Sequence, residues 1–104
     1  MLWKISIRAL LSLAAFSLAA CSDDYTPKAN ATGKRIYLEA CATCHAAEPG
    51  TTDMYWTIDV KNANATYVAH KVHTGSLTMP SFPNIKGAKM RQLGEFVLSH
   101  SLRK

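Results

Sequence analysis

The sequence predicts an all-α domain, on three observations. Apolar residues recur at three- and four-residue spacing in three separate segments of the 104-residue chain, two of them opening on a residue suited to cap a helix. No convincing strand run precedes residue 41. Residues 21–104, the part that remains once a leader-like segment is set aside, number only 84, so a polypeptide core needs reinforcement from something else.

The leader comes first. Met1 to Arg8 carries Lys4 and Arg8, the apolar stretch Ala9 to Ala20 follows, and Leu18-Ala19-Ala20-Cys21 places small residues ahead of a cysteine. This is the layout of an export signal over residues 1–20. Twelve apolar residues are too few to span a bilayer, which takes about 20. Counting back through Ile5 and Ile7 includes Arg8, which leaves an uncleaved anchor as the alternative. Leu-Ala-Ala-Cys is similar to a bacterial lipobox, which would make Cys21 the lipidated first residue of the mature chain; the competing reading is an ordinary signal with an incidental cysteine. Residues 21–31 are then expected to be a lipidated cysteine followed by a flexible tether, because Ser22 to Asn30 is polar, contains Pro27 and lacks apolar periodicity.

The folded domain is expected over residues 32–104. Thr32 is placed to cap a first helix running to about Cys44, with Gly33, Tyr37, Ala40, Cys41 and Cys44 on one face. Residues 46–63 contain Pro49, Gly50 and Asp53 and are expected to be irregular, with Tyr55 and Trp56 covering whatever the core encloses. Asn64 or Thr66 caps a second helix through His73, with Val68 and Val72 inward and Gly75 as its stop. A final helix runs from Gly87 to about Leu102 on the stripe Met90, Leu93, Phe96 and Val97.

Chemistry enters at Cys41-Ala42-Thr43-Cys44-His45. Two thiols three positions apart can each add across a vinyl group of one haem, while the adjacent imidazole is presented to the iron, so the pattern points to covalently attached haem c. A redox dithiol and half of a zinc site are the other chemistries that use C-x-x-C. Zinc wants about four ligands in a structural site, and the third cysteine, Cys21, falls in the processing signal. Lipid on Cys21 and haem on Cys41 and Cys44 would use every cysteine.

A six-coordinate iron needs a ligand opposite His45, and Thr78-Met79-Pro80-Ser81-Phe82 offers one. Met79 follows a helix stop, and Pro80 restricts it to extended backbone. A soft thioether favours the ferrous state and raises the reduction potential. Met54 and Met90 are weaker candidates, and His70 or His73 would give bis-histidine ligation instead; with His100 these histidines otherwise read as surface or interhelix residues.

Charge excludes little but informs partners. The whole chain has a net charge of +5; without Lys4 and Arg8 ten basic residues face seven acidic ones, a net of +3, and haem propionates would lower it further. Nothing here argues for nucleic acid. Lys71, Lys86, Lys89 and Arg91 flank the Met79 segment and are candidates to steer acidic redox partners. No glycine-rich phosphate loop, triad or carboxylate pair supports hydrolytic or kinase chemistry.

Three blocks together resemble the class I, small monohaem bacterial c-type cytochromes: Gly33-x-x-x-Tyr37-x-x-x-Cys41-x-x-Cys44-His45, then Val68-x-x-x-Val72-x-x-Gly75-x-x-x-Met79-Pro80-x-Phe82, then Leu93-x-x-Phe96-Val97. That resemblance implies a small cytochrome c fold with its helices packed around one haem, lying between the first helix and the methionine loop. It also implies a close crossing of the first and last helices at Gly33 and Tyr37. The family's Gly-Pro-Leu-like stretch, whose proline carbonyl accepts from the proximal imidazole, is not present; Pro49 precedes Gly50 instead. The function implied is single-electron transfer between periplasmic or membrane redox partners, by a lipid-anchored protein on the periplasmic side of a bacterial membrane, not itself an enzyme. It would be monomeric unless it is a subunit. The alternatives are a haem-c electron-entry subunit of a larger oxidoreductase, and a haem sensor or peroxidase with an open sixth position.

Overall fold

The computed structural model describes residues 22–104, so the signal over 1–20 and the proposed lipidation at Cys21 lie outside the described residues. Helix α1 covers Gly33–Ile36 and continues into a π turn over Tyr37–Cys41; strand β1 is Trp56–Ile58, helix α2 Ala65–Thr74, helix α3 Gly87–Ser99 and strand β2 Ser101–Arg103.

The first two helices start where a side chain takes up a free backbone donor, whereas α3 opens at Lys86 with no side-chain cap. Thr32 accepts from the Arg35 amide at 3.2 Å and Asn64 from the Tyr67 amide at 2.8 Å, so the caps of the first two helices fall on residues the sequence offers. Gly75 ends α2 with φ +66°, a left-handed conformation in which a side chain would be strained.

Four expectations need correction. The first helix does not run regularly to Cys44: the Ala42 amide bonds to the Tyr37 carbonyl five residues back at 2.9 Å, and residues 42–44 are turns. The wider turn rotates the following pentapeptide relative to a plain helix, a feature frequent at functional sites. The last helix stops at Ser99 rather than near Leu102, because His100 leaves helical backbone and Ser101–Arg103 pairs instead with Trp56–Ile58. The fold is therefore not purely helical; it carries a two-stranded parallel sheet with Trp56 opposite Ser101 and Ile58 opposite Arg103. Finally, residues 22–30 do not hang free of the domain. Ser22 bridges Ser81, the Asp23 amide donates to the Ser81 carbonyl at 2.8 Å, and the Asn84 amide group donates to the Asp24 carbonyl at 3.3 Å.

The core lies between α1, α2 and α3. Ile36, Ile85 and Leu93 are fully buried, with Tyr37, Val68, Val72, Phe82 and Val97 around them. Burying each such side chain stabilises by about 1.5–3 kcal/mol before the ordering cost. The glycine crossing implied by the cytochrome resemblance is present: a β-carbon on Gly33 would lie 2.8 Å from the Gln92 carbonyl carbon, so only glycine lets α1 approach α3 this closely. One turn on, Tyr37 stacks on Phe96 with ring centroids 5.3 Å apart.

Candidate functional site

The site is a cavity of about 460 Å³ whose wall includes Cys41, Cys44, His45 and Met79 together. These four residues are contributed by two segments separated by more than thirty positions in sequence. On one side the π turn brings Cys41 down from α1, and the Cys44 and His45 amides both bond to the Cys41 carbonyl, at 3.1 and 2.9 Å, which folds the pentapeptide into a single tight turn. The Tyr37 hydroxyl donates to the His45 carbonyl at 2.6 Å, closing that turn from the helix side. On the other side, Gly75 releases the chain from α2 into a loop in which Ser76 and Met79 hold each other. The Ser76 amide donates to the Met79 carbonyl at 2.9 Å, and the Met79 amide donates to Ser76 Oγ at 3.2 Å.

Between these segments the walls are apolar: Ile58, Val68, Val72, Phe82, Leu93 and Val97 all contribute. Trp56 lines the cavity too and approaches the His45 ring at 5.4 Å between centroids, as expected of a covering aromatic. Tyr55 does not line it; its ring packs 4.5 Å from Tyr37 and stacks on His100. The third face of that cluster is Phe96, with the His100 ring 4.0 Å away, so His100 is an interhelix packing residue while His70 and His73 are exposed. Among Met54, Met79 and Met90, Met79 lines the cavity and the other two do not.

The electrostatics separate the candidate chemistries. Burial, and then the neighbouring Cys44, pushes the Cys41 thiol up to about 11. A redox dithiol needs the opposite, a thiolate stabilised near neutral pH. No three His, Cys, Asp or Glu side chains among the described residues are grouped to hold a metal ion by themselves, which leaves the zinc reading without ligands. Burial lowers the His45 pKa and Glu48 opposes this more weakly, so the imidazole favours the neutral form that binds metals.

Does haem fit? A largely apolar cavity of this size falls within the roughly 300–1,000 Å³ of cofactor sites, and it places two thiols, a neutral-leaning imidazole and a thioether on one wall system. The residues fit a covalently attached haem. Among the hydrogen bonds of the described residues none involves the His45 ring, while the His45 carbonyl takes the Tyr37 hydroxyl; Tyr37, read from sequence only as a face residue, is therefore a contributor that spacing alone did not reveal. The basic residues divide. Lys71 lines the cavity, while Lys89 is held in place, its Nζ donating to the Ala31 carbonyl at 2.6 Å.

No helix among the described residues is long and apolar enough to cross a membrane. Neither a curated protein nor a solved structure matches the chain. A family model does match, that of cytochrome c oxidase, cbb3-type, subunit III, over residues 28–97, about two thirds of the sequence, a span that includes Cys41, Cys44, His45 and Met79. The chain belongs to that family: it is a c-type cytochrome domain, of a kind built on covalently bound haem c.

Proposed function

We propose that the protein is a monohaem, class I type electron carrier, in which Cys41 and Cys44 would attach one haem c through thioether bonds and His45 and Met79 would hold its iron. The observation that supports this most directly is the convergence of those four side chains on one apolar cavity. When bound, haem c supplies an iron couple that takes up and gives off one electron at a time. The chain's own residues do the rest. The two cysteines fix the group's position, His45 presents a neutral nitrogen, Met79 presents a soft sulfur that raises the potential, and the apolar walls exclude water so that little has to rearrange on transfer.

The domain spans residues 32–104 in this reading, exported by a signal over residues 1–20 and held by lipid on Cys21 at the periplasmic side of a bacterial membrane. Redox proteins are the partners. The family match favours one specific setting, in which the domain is the electron-entry part of an oxidase complex rather than a diffusing shuttle. Solubilising membranes in mild detergent separates the two: a complex subunit co-purifies at fixed stoichiometry, whereas a shuttle elutes alone.

The ligand set is tested by optical and redox titration of holoprotein beside its Met79→Ala variant. The variant should lose the thioether-to-iron charge-transfer absorption, fall in midpoint potential and bind carbon monoxide rapidly. An unchanged spectrum removes Met79, and rapid carbon monoxide binding by the unaltered protein would instead indicate an open sixth position, as in a sensor or peroxidase.

A further inference from the structure

Residues 22–25 form a strap across both ligand-bearing segments. Ser22 and Asp23 pair with Ser81, two residues beyond Met79, while the Tyr25 hydroxyl donates to the Glu39 carboxylate at 3.1 Å, two residues before Cys41. Burial, reinforced by Glu39, pushes the Tyr25 phenol up to about 12, so it stays a donor at any physiological pH. The Asp23 carboxylate is turned inward onto the Tyr25 amide at 2.7 Å. We propose that this strap makes the Met79 loop the membrane-facing edge of the domain, resting against a lipid surface; the proposal depends on the reading that the chain is held to the bilayer at, or just before, Cys21.

The argument is one of reach. Neighbouring strands lie about 4.8 Å apart, and two residues of extended chain span about 7 Å. The Ser22 backbone is thus within about 12 Å of Met79, and a membrane attachment at the preceding residue is one Cα step, about 3.8 Å, further. A slack tether of ten residues would instead wander over roughly 17–19 Å in any direction and reach about 35 Å at full stretch. The strap takes up that slack and leaves the loop nowhere to point but near the bilayer. Both readings of the leader, lipid on Cys21 or an uncleaved apolar anchor, have this consequence.

The chemistry of the edge suits a lipid interface. From Thr74 to Ile85 the sequence contains no charged side chain. Leu77, at the loop tip two residues before Met79, is fully exposed, at 106 % relative accessibility, and Ser76 and Thr78 beside it are also exposed. Lys71 and Lys86, which flank this run in sequence, are matched in number by Asp23 and Asp24 on the strap, and an uncharged run of this kind suits the headgroup boundary of a zwitterionic bilayer rather than an anionic surface. Electrons leaving by that edge would pass to a partner embedded in the same membrane.

The test uses full-length lipidated holoprotein in phosphatidylcholine vesicles, with a spin label on Leu77→Cys and, separately, on Glu95→Cys, an exposed α3 position outside the cavity wall. The other thiols are occupied by haem and lipid, so each variant offers one reactive site. The label at 77 should collide with dissolved oxygen several-fold more, relative to a water-soluble nickel chelate, than the label at 95. Adding Asp23→Pro, which removes the amide that the Ser81 carbonyl accepts, should abolish the difference. A vesicle-bound protein with equal chelate access at both positions overturns the orientation alone, whereas protein that stays in the supernatant when vesicles are sedimented overturns the anchoring and the orientation together.

Discussion

Cys41, Cys44 and His45 leave a π turn that is buried against the last helix, and the Tyr37 ring beneath them touches Tyr55, Trp56 and Phe96 at centroid distances of 4.5 to 5.3 Å. Met79, on the facing wall, has lighter support: it is half-buried against the core in a loop secured by two hydrogen bonds with Ser76 and the turn at Gly75, and beyond it by the Phe82 amide on the Val72 carbonyl and the Asp23 amide on the Ser81 carbonyl. The attachment side is continuous with the core, so damage there is shared across the fold. The methionine side is a more local structure mounted on the end of α2, so damage there should stay near Met79. This suits the proposed chemistry, in which covalent bonds would retain the cofactor on one side while the other side would rely on its loop and the strap at Ser81 to keep sulfur in place.

The largest break in that comparison should come from Gly75→Ala. Its β-carbon would meet the Met79 carbonyl oxygen at 2.5 Å and the Pro80 carbon and Ser81 nitrogen at 2.8 Å, at a φ of +66°. Left-handed strain of about 1–3 kcal/mol adds to a steric cost of similar size. The holoprotein should keep its helical circular dichroism yet lose the charge-transfer absorption and admit carbon monoxide. Retention of that absorption with slow carbon monoxide binding would show the loop to be better supported than its hydrogen bonds imply.

Gly33→Ala probes the opposite wall and should act the opposite way. The added methyl would run into the Gln92 carbonyl of α3 and, at 3.1 Å, crowd the Phe96 β-carbon, so the two helices must separate. An overpacking cost of about 1–3 kcal/mol is expected, read as a lower denaturation midpoint with the iron spectrum unaltered. A spectral change without loss of stability would mean that the helix crossing is tuned to the ligand and not to the core.

Much of this was legible in the residues, and the parts that were not have a common cause. Thr32, Asn64 and Gly75 act within a few residues of themselves, by accepting an amide or by adopting positive φ, so local chemistry placed both helix starts and the stop of α2. The stripe Leu93 and Val97 likewise reports directly on burial. The π turn differs from a regular helix by one residue of hydrogen-bond register, and Tyr37-Leu38-Glu39-Ala40-Cys41 contains no signal for it. The parallel pair β1 and β2 joins three-residue segments more than forty positions apart, too short for alternation to register. The strap escapes the sequence for the same reason, since a polar, proline-bearing stretch looks unstructured until Ser81, Asn84 and Glu39 supply partners from elsewhere. For the site, C-x-x-C-H and Met79 stand out in the sequence because the chemistry proposed for them is carried by the residue types themselves, while the Tyr37 bond to the His45 carbonyl depends on an eight-residue separation bridged only by the fold.

The finest distinction is between two single hydrogen bonds, Tyr37 to the His45 carbonyl at 2.6 Å and the Met79 amide to Ser76 at 3.2 Å. Tyr37→Phe and Ser76→Ala each remove one, a loss of about 0.5–1.5 kcal/mol. Each variant removes one bond and leaves the rest of its wall in place. Tyr37→Phe keeps the ring, so its packing against Phe96 and Trp56 survives, and the loss should appear as a modest drop in global stability with carbon monoxide binding unchanged. Ser76→Ala should leave global stability nearly untouched, because the loop contributes little core, but the same free energy spent on loosening Met79 should speed carbon monoxide binding by roughly two- to tenfold. If the phenylalanine variant instead opened the iron to carbon monoxide and the alanine variant only lowered the melting point, the division of labour between the two walls would be the reverse of the one drawn from their packing.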